Sequence, residues 1–275
     1  MNALNTDWRS MDMGQAMTER EIEAVLREVT DEEVAFYQEY GWVMMKQLVD
    51  PAFATELLRV GQAWRESKQE KGPFKLAAEG VEPYRSFMYS ERMVQNATRL
   101  VNRKRLKGVD IPLRYRIDLL LLKPPGAAGA TYHQDSSEHG SDRVGELQFW
   151  MALAEVTAEM GAMRFVNHSH REGPLGSVFN DDQGDLLEQF PNLTSVLELS
   201  SPFHYQPGDC TVHHGYTVHG GPANSTDKPR WSYLFSYSPV DTRYWNGTAA
   251  NWGSERKRLS DPDNPIVLPP ASVGG

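Results

Sequence analysis

"CTVHHGYTVHGGPAN" (residues 210–224), followed after a short polar loop by "WSYLFSYSPV" (231–240), sets the texture of the C-terminal half: brief apolar runs punctuated by Gly, Pro, Asn and Asp. Strand-length runs bounded by turn residues read as an all-β sandwich or barrel. The same texture begins near Arg114, where "YRIDLLLL" (115–122) runs into "KPPG" and "ELQFWMALAEV" (146–156) runs into "TAEMGAMRFV". Upstream the period changes. Residues 17–40 space Ile22, Val25 and Leu26, then Val34, Phe36 and Tyr37, at helical intervals, with Thr18 and Asp31 as candidate N-caps and Gly41 as a stop. "WVMMKQLV" (42–49) is apolar and β-prone, and the segment from Asp50 opens a helix with a capping side chain followed by Pro51 at the first helical position. A further helix is expected around residues 90–107. One domain over 1–275 is therefore expected, mainly β with flanking helices, residues 1–16 and 255–275 being irregular.

Composition narrows the function classes. A net charge of −9 without a Lys/Arg block argues against nucleic acid or an anionic membrane surface as the main partner, leaving a small molecule as the default. No apolar run approaches the roughly 18 residues of a membrane span. The single cysteine, Cys210, excludes an internal disulfide framework and four-cysteine zinc sites. The first residues carry neither a basic flank nor an apolar core, so a cytoplasmic location is expected.

All eight histidines follow residue 132. In "GATYHQDSSEHG" (129–140), His133 and Asp135 are two apart; on a strand that spacing puts an imidazole and a carboxylate on one face. The other His-x-acid triplet, His170-Arg171-Glu172, runs into "GPLG" and reads as a structural turn. Two ligands do not hold a catalytic metal, and His213, His214 and His219 are the candidates for a third. Two histidines and one carboxylate with open positions suit non-haem Fe(II).

With "YHQD", "WMAL", "GAMRFVNHSHREG", "PGD" and "VHGGPANSTDKPRWS" in this order, the chain resembles the phytanoyl-CoA dioxygenase family of Fe(II)/2-oxoglutarate-dependent oxygenases; "DEEVAFYQEYGWVMMKQLVD" is similar to that family's first helix and strand. The resemblance covers about residues 31–240. It implies a double-stranded β-helix (jelly-roll, cupin-like) core packed by N-terminal helices. It also implies His133, Asp135 and His219 as iron ligands and Arg230, eleven residues beyond His219, as the anchor of the 2-oxoglutarate remote carboxylate. A guanidinium suits that task because it pairs bidentately with a carboxylate. Ser232, on the same strand face as Arg230, can donate to the same group, while Gln134, Trp150 and Leu119 match family positions that contact the cosubstrate. Gln134 would need a bend or bulge to turn inward. Asp135 occupies the position that related iron halogenases vacate for chloride, which points to hydroxylation or another oxidation.

The resemblance thus implies Fe(II), 2-oxoglutarate and O2 as cofactor and cosubstrates, with oxidation of a C–H bond of a small natural-product intermediate and release of succinate and CO2. Two loops are expected near substrate: "VEPYRSFMYSERM" (81–93), with Tyr84, Arg85, Phe87 and Met88, and the segment after Asp135, with His139. The rival readings are a metal-dependent hydrolase or isomerase on the same scaffold, in which Arg230 and Ser232 would be idle, and a non-catalytic β-sandwich binding protein.

Overall fold

Thr18 and Thr30 begin two helices with one device, each Thr facing a Glu three residues on that reaches back to the cap backbone. The computed structural model describes residues 16–68, 75–101, 112–139, 144–178 and 184–242, with the backbone of 104–105, 109–110 and 266–267. Helices α1 (Glu19–Val25) and α2 (Asp31–Tyr40) precede strand β1 (Trp42–Met45), and α3 (Pro51–Lys68) follows. Thr30, not Asp31, caps α2, and Gly41 ends it in the left-handed region at φ 80°. Asp50 caps α3 as expected, its Oδ1 accepting from the backbone of Ala52 and Phe53. Next come α4 (Tyr84–Tyr89) and α5 (Glu91–Val101), then the short strands β2 (Lys104–Arg105) and β3 (Val109–Asp110) and the long β4 (Leu113–Lys123). The remainder is β5 (Ala130–His133), α6 (Asp135–His139), β6 (Leu147–Ala152), β7 (Arg164–Phe165), α7 (Leu186–Gln189), α8 (Leu193–Val196), β8 (Cys210–His214), β9 (His219–Gly221), β10 (Arg230–Pro239) and β11 (Ile266–Val267).

Six strands pair antiparallel in the order β1-β8-β6-β10-β4-β11, and three more in the order β5-β9-β7. Phe165 of the small sheet stacks on Trp42 and meets His213 of the large one, so the two sheets face each other. This is the expected double-stranded β-helix with helices outside it. The tail expected to be irregular does contribute β11, paired to the start of β4; residues 1–15 lie outside the described residues.

Parity divides the large sheet. Tyr233, Phe235 and Tyr237 of β10, with Phe149 and Met151 of β6, project outward into the main core beneath the helices. Arg230, Ser232 and Leu234 alternate with them and face inward. Trp150, Ala152 and Leu234 belong to a second, smaller core with Leu121 and Tyr205.

The segment 81–93 corrects the sequence reading. Tyr84, Phe87 and Met88 are fully buried on α4, the Tyr84 hydroxyl donating to the Leu57 carbonyl and Phe87 packing edge-on to Phe235. Arg85 lies on the same helix over the Tyr89 ring. Tyr84, Phe87 and Met88 clamp the outer face of the sheet rather than lining a mouth over the histidines, and Arg85 is exposed on the helix surface.

Candidate metal centre

His133 ends β5 and His219 begins β9, its register partner across the small sheet. Both rings are held alike: Nδ1 of His133 lies 2.7 Å from the Thr131 carbonyl and Nδ1 of His219 lies 3.0 Å from the Thr217 carbonyl. A carbonyl only accepts, so each imidazole carries a proton on Nδ1 and turns Nε2 inward. Asp135 completes the set. Its Oδ1 is 3.5 Å from His133 Nε2 and its Oδ2 is 3.6 Å from His219 Nε2, and one ligand atom from each residue fits within 4.8 Å of the others.

Asp135 reaches this position by another route than strand parity. The strand stops at His133 and Asp135 is the first residue of α6, pinned by Ser136 N donating to the Gly215 carbonyl at 2.8 Å. Burial opposes the charge on Asp135, but His219, His133 and His213 around it outweigh burial and hold its carboxyl well below the usual range. Burial, and secondly the neighbouring His213, hold His219 well below the usual imidazole range. A carboxylate and a neutral imidazole are the protonation states that bind a metal. The donor set N, N, O, gathered at one side, fits Fe(II).

Beside this cluster the interior holds two buried cations. Arg230 and Lys123 are register partners on β10 and β4. The Arg230 guanidinium lies 5.2 Å from the centre of the Trp150 ring, and its Nη1 donates to the Gly161 carbonyl. Lys123 Nζ donates to the carbonyl of Pro222, the residue that follows β9. Among the described residues, their hydrogen bonds go to carbonyls alone. Burial pushes the Arg230 guanidinium down to about 10, and burial followed by the Arg230 charge pushes Lys123 down to about 8. Arg230 Nε and Ser232 Oγ are buried without a hydrogen-bond partner. Orphaned buried donors around unpaired cations mark a place built for an anion. Trp150 forms one wall with Tyr205, and Leu119, paired with Leu234, belongs to the same interior face.

Two expectations fail on hydrogen-bond accounting. Gln134 spends its whole amide on the fold: Nε2 donates to the carbonyls of Gly173 and Tyr216, and Oε1 accepts from Ser137 Oγ and Leu175 N. Nothing remains for a cosubstrate. His139, expected at the entrance, is buried with Nδ1 2.9 Å from Glu146 Oε1, beside the Arg116–Glu146 pair at 3.2 Å. His170 forms a structural 3-10 turn, as expected. Sequence reasoning missed Lys123, hidden at the end of an apolar strand, and the contact of His213 Nε2 with Asp135 Oδ2 at 2.9 Å.

The family model for Phytanoyl-CoA dioxygenase (PhyH) matches residues 37–232. Phytanoyl-CoA dioxygenase domain-containing protein 1 of Danio rerio is 25% identical over 151 residues, 52% of this chain and 50% of that protein, so the match spans about half of the relative's length. The epimerase SnoN, solved with Fe3+, alpha ketoglutarate and nogalamycin RO, superposes with a TM-score of 0.63 at 23% identity, covering 86% of this chain and 91% of its own. EctD from S. alaskensis, solved with 2-oxoglutarate and 5-hydroxyectoine, gives 0.67 at 17%, covering 88% and 86%. At these identities the structures establish a shared fold. The stretch from Tyr37 to Ser232 holds His133, Asp135, His219, Lys123 and Arg230, and by that match the chain belongs to the phytanoyl-CoA dioxygenase family.

Proposed function

We propose that the protein is an Fe(II)/2-oxoglutarate-dependent oxygenase that oxidises a C–H bond of a small molecule, with succinate and CO2 as coproducts. One observation carries the reading: a His133/Asp135/His219 cluster shares its interior with Arg230, a buried cation whose Nε is orphaned and whose neighbours, Lys123 and Ser232, offer a second cation and an orphaned hydroxyl. An ion and a dicarboxylate are the pair of ligands that satisfies both. Hydrolysis at the same cluster would give Arg230, Lys123 and Ser232 no task.

His133 Nε2, Asp135 and His219 Nε2 would hold the iron, which supplies O2 activation when bound together with 2-oxoglutarate. The protein's own part is binding and exclusion. Arg230 and Ser232 orient the remote carboxylate by charge-assisted hydrogen bonds, worth roughly twice neutral ones. Trp150 and Tyr205 close the wall behind Arg230 and keep water from the cation. Hydroxylation is the outcome we assign; Asp135 in the carboxylate position argues against halogenation. The substrate class we assign is a natural-product intermediate; SnoN and EctD, which share the fold, were solved with a nogalamycin compound and an ectoine.

Anaerobic addition of 2-oxoglutarate to the Fe(II)-loaded protein is expected to give a weak visible charge-transfer band, and admission of air to release succinate. Absence of both overturns the reading. Screening metabolites for those that stimulate succinate release then identifies the substrate.

A further inference from the structure

His213 stands on β8 facing the interior, fully buried, opposite Trp42 on one side and Gln148 on the other. Its ring is 4.0 Å from that of His219 and 5.4 Å from Phe165, contacts that limit its rotation. Nε2 lies 2.9 Å from Asp135 Oδ2, the shortest contact that either carboxylate oxygen makes with a histidine, while Nδ1 is buried without a partner. Those two facts fix the tautomer. A proton on Nδ1 would be a buried unsatisfied donor, whereas a proton on Nε2 is donated to an ionised carboxylate. His213 lies outside the set of three residues whose ligand atoms gather within 4.8 Å, and touches that set through Asp135 Oδ2.

Resting on the metal reading above, we propose that His213 is a positioning residue that donates Nε2–H to Asp135 Oδ2 and so restricts Asp135 to one metal-bound oxygen. An unrestrained carboxylate can bind a cation through both oxygens. Here Oδ2 is already engaged by His213 Nε2, which leaves Oδ1 for the metal. Outer hydrogen-bond partners of ligating side chains typically change metal affinity or activity by about 10–100-fold when removed. His213 differs from the usual partner in being an imidazole packed between the rings of His219 and Phe165, which limits its freedom to follow the carboxylate if it turns.

The test uses Co(II) in place of iron, with His213→Phe, which keeps the ring and removes the donor, and His213→Gln, which keeps a donor. Expected for His213→Phe are a Co(II) affinity lowered about tenfold or more, a visible d–d spectrum shifted towards higher coordination, and 2-oxoglutarate binding by calorimetry weakened. His213→Gln is expected to restore most of the spectrum. Should both variants fail to fold by circular dichroism, the Zn(II)-loaded wild type decides: a slowly exchanging imidazole N–H resonance assigned to His213 Nε2 supports the proposal, and its assignment to Nδ1 overturns it. A His213→Phe protein with wild-type Co(II) affinity and spectrum overturns the His213 assignment alone. Wild-type protein that takes up no Co(II) overturns the metal reading and this inference with it.

Discussion

Strand β10 has two faces with opposite economies. Outward, Tyr233, Phe235 and Tyr237 are buried in aromatic contacts, and both tyrosine hydroxyls are satisfied, Tyr233 by Asp118 Oδ2 at 2.9 Å and Tyr237 by the Met88 carbonyl at 2.6 Å. Inward, Arg230 and Ser232 are also buried yet leave Nε and Oγ without partners. A face that satisfies itself holds the fold; a face that leaves donors unsatisfied beside a cation offers them to a ligand. The same ten residues thus carry the stability of the sheet and the chemistry of the pocket, separated by nothing more than alternation.

Four measurements test that separation. Asp135→Ala removes the anionic ligand itself and should reduce Fe(II) affinity by more than about 100-fold, beyond the range of outer-shell partners, as equilibrium dialysis reads. Phe235→Ala, on the outer face, should cost about 3–5 kcal/mol of stability in chemical denaturation because its ring stacks on Phe149 with centroids 4.9 Å apart, while the protein that remains folded keeps its 2-oxoglutarate affinity. Arg230→Ala should do the reverse, losing roughly 2 kcal/mol or more of cosubstrate binding, about 30-fold, with stability unchanged or raised, since an unpaired buried cation is removed. A large stability loss in Arg230→Ala would collapse the distinction between the faces.

The smallest effect concerns pH. The Lys123 ammonium is charged below about 8 and neutral above it. A dianionic cosubstrate prefers the charged form, so affinity should be full below that value and fall as pH rises through it, by up to about tenfold for one charge-assisted bond. Lys123→Met should flatten this step, and 2-oxobutyrate, which lacks the remote carboxylate, should not show it. Calorimetry from pH 7 to 9 is the check.

How legible was this in the sequence? The strands and both capped helices could be read because turn residues and alternation repeat every few positions, and His219 and Arg230 stood out only through the ordered motifs around them. The side-chain directions were less accessible. Tyr84, Phe87 and Met88 follow an i, i+3, i+4 pattern that marks a buried helical face, and the loop reading of 81–93 left that periodicity aside. Gln134 gave no sign of its four hydrogen bonds, because every partner lies in a distant loop or turn apart from Ser137. His213 was indistinguishable from His214 until pairing with Gln148 and Trp42 fixed which of them faced inward.

The ligand histidines take their orientation from the carbonyls of Thr131 and Thr217, main-chain atoms that no side-chain substitution deletes. Their aim is therefore inherited with the course of β5 and of the turn leading into β9. The pocket walls can drift towards new substrates while the two imidazoles keep pointing at the same spot, and of the contacts around the cluster, the one between His213 and Asp135 is among those a point mutation can erase.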